Sequence, residues 1–191
     1  AAFAEVASGM AEDHAPTGRP PYIAAIAATR TKDGPYITQL FCGTAGGPAT
    51  AETDGWLSFV GLAVAGLLYR DSVEVDEQKY PIIVESSRVR PDSEGAGRRR
   101  GAAGNICEYG PLRGEMQAFY WLEGVVNPAY GVRGGGTSLP CGAYQLDESG
   151  TRHERPETVG AVTLNRGDLI GSLSAGGGGY GDPLAREVDL V

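Results

Sequence analysis

Glycine is what most narrows the folds open to this chain: 30 of its 191 residues are Gly, and 12 more are Pro. The two types make about 22% of the sequence, against roughly 12% in ordinary globular proteins. No strict three-residue glycine period is present, so a collagen helix is excluded. Hydrophobic residues at 41% exclude a disordered low-complexity chain. What remains is a set of short strands joined by tight loops: a mainly β fold with a few short helices, of α+β class. Residues 1–19 are expected to form an N-terminal helix and linker, and residues 20–191 a β-rich region.

A formal net charge of -8 and a pI of about 4.8 repel a phosphate backbone and argue against nucleic-acid binding. Cys42, Cys107 and Cys141 are odd in number and far apart, fitting neither a disulfide framework nor a CxxC site. A reducing, cytoplasmic setting is therefore expected. The longest apolar run, Trp56 to Tyr69 (WLSFVGLAVAGLLY), is too short to span a bilayer and is expected to be core or a subunit contact. The opening residues AAFAEVASGMAEDHA carry no secretory-signal pattern, and their lack of an initiator Met suggests missing upstream sequence.

Phe3, Val6, Ala7 and Met10 follow helical spacing, and HAPTGRPP then breaks the helix. Tyr22 to Thr29 and Tyr36 to Phe41 read as a hairpin around Lys32-Asp33-Gly34. Cys42 to Gly55 has little bulk and reads as a long flexible loop. Ser72 to Val75 and Tyr80 to Arg88 read as strands, with Glu74 and Asp76 sharing one strand face. Glu115 to Glu123 (EMQAFYWLE) is apolar on both faces, as in a central or interface strand. Gly160 to Leu164 and Leu169 to Leu173 read as a strand pair around Asn165 to Asp168. Near the end, Asp182 is expected to cap a helix whose first position is Pro183.

No complete catalytic set is visible. The two histidines, His14 and His153, stand alone in polar loops, and neither an HxxxH metal motif nor a GxSxG elbow occurs. A Cys141–His153 pair would have to be assembled from separate loops. Gly176, Gly178 and Gly181 satisfy GxGxxG, a pattern that four consecutive glycines meet by accident; no return strand or downstream acid for a ribose follows. Arg98, Arg99 and Arg100, with Arg88 and Arg90, form one basic cluster. It suits a phosphate, a carboxylate or an acidic partner, or equally a solvated loop face with Asp92 and Glu94 as counter-charges.

At these loops the sequence resembles the hydantoinase B family. PIIVESSRVRPDSEGAGRRRGAAG (Pro81 to Gly104) is similar to the family block in which a strand leads into Pro-Asp-Ser-Gly-Gly-Ala-Gly-Arg, with Glu94 at a usual Gly. SAGGGGYGDPL (Ser174 to Leu184) resembles its Pro-Gly-Gly-Gly-Gly-Tyr-Gly-Asp-Pro ending, and YGVRGGG (Tyr130 to Gly136) its Trp/Tyr-Gly-x-x-Gly-Gly element. LNRGDLI (Leu164 to Ile170) and DSVEVDEQKYP (Asp71 to Pro81) are similar to two further blocks, in the same order.

The resemblance covers about residues 20 to 185 and implies a piece of a larger multi-subunit fold, cytoplasmic and hetero-oligomeric. It implies opening of a cyclic amide such as a hydantoin, a lactam or 5-oxoproline; the alternatives are ketone carboxylation of the acetone or acetophenone type and a non-catalytic assembly subunit. The implied partners are a hydantoinase A-like subunit and an N-terminal hydantoinase B-like portion, with no nucleic acid and no membrane. No cofactor is expected on this chain, whereas ATP and a divalent metal belong to the complete complex. The family's metal-binding motifs around Asn-Asp-Pro and Thr-His-x-x-Asp are absent here, so the chain is expected to be a split subunit, a processed product or a fragment, inactive alone. Within the matched blocks, Glu74, Asp92, Gly97, Arg98, Gly178, Tyr180 and Asp182 are the candidate substrate or interface residues; none is assigned a catalytic or metal role.

Overall fold

Along Glu115–Leu122 the buried positions are Met116, Ala118, Tyr120 and Leu122, while Glu115, Gln117 and Phe119 face outward. This period of two is that of a strand with one covered face. The computed structural model describes residues 23–31, 34–40, 44–57 and 72–190. The N-terminal helix expected within residues 1–19, Cys42 and most of the apolar run beginning at Trp56 lie outside the described residues.

Nine strands and one short helix are described: β1 Ile23–Thr31, β2 Gly34–Leu40, α1 Val73–Lys79, β3 Ile82–Arg90, β4 Gly104–Pro111, β5 Glu115–Leu122, β6 Gly142–Leu146, β7 Arg152–Arg155, β8 Val159–Asn165 and β9 Leu169–Leu173. They form two antiparallel sheets, ordered β2-β1-β5-β8 and β3-β4-β9-β6-β7. The architecture is thus mainly β, as the turn-rich composition predicts. One core joins the sheets: Met116, Ala118, Val162 and Leu164 from the first meet Ile82, Cys107, Tyr109, Ala143 and Ile170 from the second. That apolar layer makes the two sheets a sandwich.

Three expectations need correction. Ser72 to Val75 is not a strand: Val73–Lys79 is helical, with Glu74 and Asp76 in its first turn and Lys79 in its last, a charge order that suits the helix dipole. Two residues apart on a helix means roughly 200° of rotation, so Glu74 and Asp76 do not share a face. The alternating Val-Glu-Val-Asp pattern misled because no residue of this helix is buried, so alternation had no core to serve. Glu77 instead ties α1 to the sheet edge, its Oε1 accepting the Val84 N–H at 2.8 Å.

Strands β8 and β9 do form, but they do not pair. β8 pairs with β5, β9 pairs with β4 and β6, and the turn between them crosses from one sheet to the other. Asp168 closes that turn: its Oδ2 accepts the Asn165 N–H at 2.8 Å, and Gly167 takes φ +95°. Nor are residues 44–49 a loose loop. Thr44, Ala45 and Ala49 are buried, because residues this small let one backbone lie directly against another.

Candidate functional site: the glycine-rich junction

At the end of the sandwich where β3 stops and β4 and β9 meet the loops, four segments converge: residues 44–57, 91–103, 129–139 and 174–186. They hold each other by backbone hydrogen bonds. Ala102 N–H donates to Gly47 O at 3.0 Å and Gly177 N–H to Ala102 O at 3.0 Å. Gly95 N–H donates to Gly177 O at 2.8 Å, Gly136 N–H to Ala96 O at 2.6 Å, and Gly179 N–H to Gly136 O at 3.0 Å. This spacing leaves no room for side chains: a Cβ on Gly101 would stand 2.0 Å from Gly177 O. The glycines are therefore the packing surface, where bulk would normally be.

Polar side chains pin the junction to the sheets. Ser93, fully buried, donates its hydroxyl to Arg90 O at 2.7 Å and accepts the Gly104 N–H at 2.7 Å. The Arg90 guanidinium donates to Pro140 O at 2.7 Å and Ser174 O at 3.1 Å, and burial lowers its pKa. Asp92 sits at φ +54°, turning the chain sharply as it leaves β3.

The sequence candidates separate into four groups. Asp92 and Gly97 line a shallow cleft of about 390 Å³, together with Glu94, Ala96, Arg100, Pro183 and Arg186. Asp182 sits at its rim, where its Oδ1 accepts the Leu184 N–H at 2.9 Å and caps a single 3₁₀ turn, Pro183–Ala185. The cap is as expected, though the helix is only one turn. Gly178 and Tyr180 are buried structural residues of the junction: Ala49 N–H donates to Gly178 O at 3.1 Å, and Tyr180 exchanges two backbone bonds with Arg99. Arg98 does not line the cleft; its guanidinium donates to Ala51 O at 3.1 Å. Glu74 is remote from the rest, exposed on α1 beside the start of β3, with its carboxyl pKa lowered by its own backbone N–H and by Ser72.

Gly176, Gly178 and Gly181 precede one 3₁₀ turn rather than a nucleotide-binding helix, and Gly176 to Gly179 are buried against neighbouring backbone. Cys141 is buried, while His153 is exposed and pairs with Asp147 at 2.9 Å, so the two form no nucleophile pair. Burial pushes the Cys141 thiol up to about 11. The arginine cluster divides its work. Arg99 lies 3.8 Å from Glu187, Arg88 pairs with Glu108 at 3.2 Å, and the Arg100 backbone N–H donates to Asp54 at 3.0 Å.

Arg186 lines the cleft and Asp54 anchors it, and neither is among the sequence candidates. Arg186 gives both terminal nitrogens to Asp54, at 2.9 and 2.7 Å, and also donates to Arg98 O and Leu190 O. Arg186 holds the Asp54 carboxyl below its ordinary pKa. No local pattern marks this pair. Among the described residues no group of three or more His, Cys, Asp or Glu is placed to hold a metal, so these residues do not fit a metal centre by themselves. No described helix is long and apolar enough to cross a membrane.

The hydantoinase B/oxoprolinase family model matches residues 2–183. Caprolactamase subunit beta of Pseudomonas jessenii is 30% identical over a stretch covering 85% of this chain and 29% of that protein. A protein of Methanocaldococcus jannaschii is 32% identical, covering 62% of this chain and 21% of its own length. Two solved structures share the fold. An acetone carboxylase in its nucleotide-free form has a TM-score of 0.76 at 17% identity, over 95% of this chain and 29% of that one. The ATP-dependent caprolactamase of P. jessenii has a TM-score of 0.75 at 23% identity, over 97% of this chain and 33% of that one. The chain thus spans a third or less of these relatives, and its match runs through every described strand. It belongs to the hydantoinase B/oxoprolinase family.

Proposed function

We propose that this chain is part of a multi-subunit, ATP-dependent hydrolase of cyclic amides, with a lactam as the substrate type. The observation that carries this reading is the 30% identity to caprolactamase subunit beta across 85% of the chain. The net reaction balances as one lactam, one ATP and two waters giving the ring-opened amino acid, ADP and phosphate.

On this reading the chain supplies structure to a site completed by other residues. The junction offers a rigid wall of backbone and a cleft carrying Arg100, Glu94 and Asp92, with no complete nucleophile, base and metal set among the described residues. Metal and ATP belong to the complete assembly, formed with a hydantoinase A-like subunit and an N-terminal hydantoinase B-like portion, in a cytoplasmic setting. The outward face of the four-stranded sheet supports a partnered subunit: Phe119, Val159 and Ile37 are 45%, 73% and 70% exposed there. Large apolar side chains grouped on one face favour burial against a partner.

The fold shared with acetone carboxylase keeps ketone carboxylation as a second reading. Affinity capture with the chain as bait, followed by mass spectrometry, tests the assembly. Recovery of a hydantoinase A-like protein in a fixed ratio is expected, and its absence would sink both enzymatic readings. Dependence of phosphate release on bicarbonate plus a ketone, rather than on a lactam, would transfer the assignment to carboxylation.

A further inference from the structure

A second cleft, of about 630 Å³, lies at the opposite end of the five-stranded sheet, where β3 begins and β4 ends. Its size falls within the roughly 300–1,000 Å³ of small-molecule sites. The floor is aliphatic: Ile83, Leu112, Leu146 and Leu169 line it, with Ile83 36% and Leu112 42% exposed.

Its rim is built from two tight turns locked together. Asp147 accepts the Ser149 and Thr151 N–H groups at 3.0 and 2.9 Å and the Ser149 hydroxyl at 2.5 Å. Asp168 closes the other turn and accepts the Glu148 N–H at 3.2 Å, joining the two. Both aspartates are thereby committed to backbone, and the Ser149 hydroxyl, ahead of His153, holds Asp147 ionised. The cleft-lining charges left without a side-chain bond or ion pair among the described residues are Glu85, Glu148 and Arg166. Glu148 is steered by Gly167, whose absent side chain leaves space beside the Glu148 Cγ.

We propose that this cleft binds an aliphatic ω-amino acid, with the methylene chain on the leucine and isoleucine floor, the ammonium at Glu85 and Glu148, and the carboxylate at Arg166. Such a molecule is what ring opening of an aliphatic lactam releases, so the inference rests on the hydrolase reading and assigns the cleft to product. Two free carboxylates and one free guanidinium around an apolar trough offer a partner to each end of a zwitterion with a hydrocarbon centre.

Titration of the full chain with 6-aminohexanoate, followed by calorimetry and by chemical-shift changes at Leu146 and Leu169, tests this. Saturable binding is expected, with hexylamine and hexanoate each weaker. E148Q and R166Q should each weaken it about two- to fivefold, the range for solvent-exposed ion pairs. E85Q, on an exposed strand position, provides an independent variant should either turn substitution unfold. Absence of saturable binding, or equal binding of all three compounds to wild type and variants, overturns the proposal. The outcomes separate from the function itself. Lactam-dependent phosphate release without ω-amino acid binding defeats only this site, whereas binding without such release defeats the hydrolase reading.

Discussion

The carboxylate of Asp54 and the guanidinium of Arg186, 132 residues apart, face each other fork to fork at 2.9 and 2.7 Å. The pair fastens the chain after the last strand to the first glycine-rich segment and so holds Arg186 in the lining of the junction cleft. Asp54→Asn should cost about 1 kcal/mol or less, the scale of partly exposed ion pairs, read as a shift in urea midpoint. Its pH dependence has a definite sign. Arg186 lowers the Asp54 pKa in the folded state, so the contribution is present above the unfolded value of about 3.9 and disappears as pH falls through the lower folded value. Wild type and Asp54→Asn should therefore converge in stability in acid; a gap that persists there contradicts the assignment.

Backbone-on-backbone packing makes the junction intolerant of a single methyl group. A Cβ on Gly101 would lie 2.0 Å from Gly177 O, and one on Gly177 would lie 1.8 Å from Gly47 O. Gly101→Ala or Gly177→Ala should cost at least about 3 kcal/mol or prevent folding, the scale of severe core overpacking. Gly142→Ala is the control, because its Cβ would meet only the Leu173 side chain at 3.4 Å, and it should change stability by less than about 1 kcal/mol. Thermal melts of the three variants decide it.

Much of this was legible in residue patterns, and the failures share one cause. The run along 115–122, apolar on both faces in the sequence, marks β5, which is central in its sheet but covered on one face, and Asp182-Pro183 marks the last cap. No residue pattern marks strands β4, β6 and β7. β4 carries Cys107 and Tyr109 inward but begins at Gly104 and contains Gly110, which lies against Asp168 O of the neighbouring turn. The 44–49 segment failed likewise: smallness suggested a slack loop, whereas small residues are what allow its close approach. The glycine blocks seen in the sequence are the segments that pack together at the junction. The Asp54–Arg186 clamp stayed invisible because only the tertiary fold brings it together.

Burial sets the chemistry of Cys141. With its thiol pushed up to about 11, the thiolate is on the order of 0.1% at pH 8, and access is restricted as well. Iodoacetamide at pH 8 should leave Cys141 unmodified in the native chain and alkylate it in urea, as peptide mass spectrometry would show. The linkage runs opposite to that of Asp54. A thiol pKa raised on folding contributes stability that is complete below the unfolded value of about 8.5 and is lost as pH rises toward the folded value. Rapid native alkylation would contradict the buried placement.

The apolar outer face of the four-stranded sheet predicts a separation between folding and assembly. Phe119→Ser and Val159→Thr change exposed positions, so the urea midpoint should move little, by less than about 1 kcal/mol. Capture of a partner should fall several-fold if this face is the contact. Unchanged capture with both substitutions combined places the contact elsewhere.

Lactam-dependent release of inorganic phosphate by the assembled complex, with the ring-opened amino acid measured in parallel, tests the central claim most directly. The account predicts phosphate release that requires both the lactam and this chain, with one phosphate per amino acid formed. Phosphate release indifferent to the lactam, or amino acid formed without ATP, would contradict it.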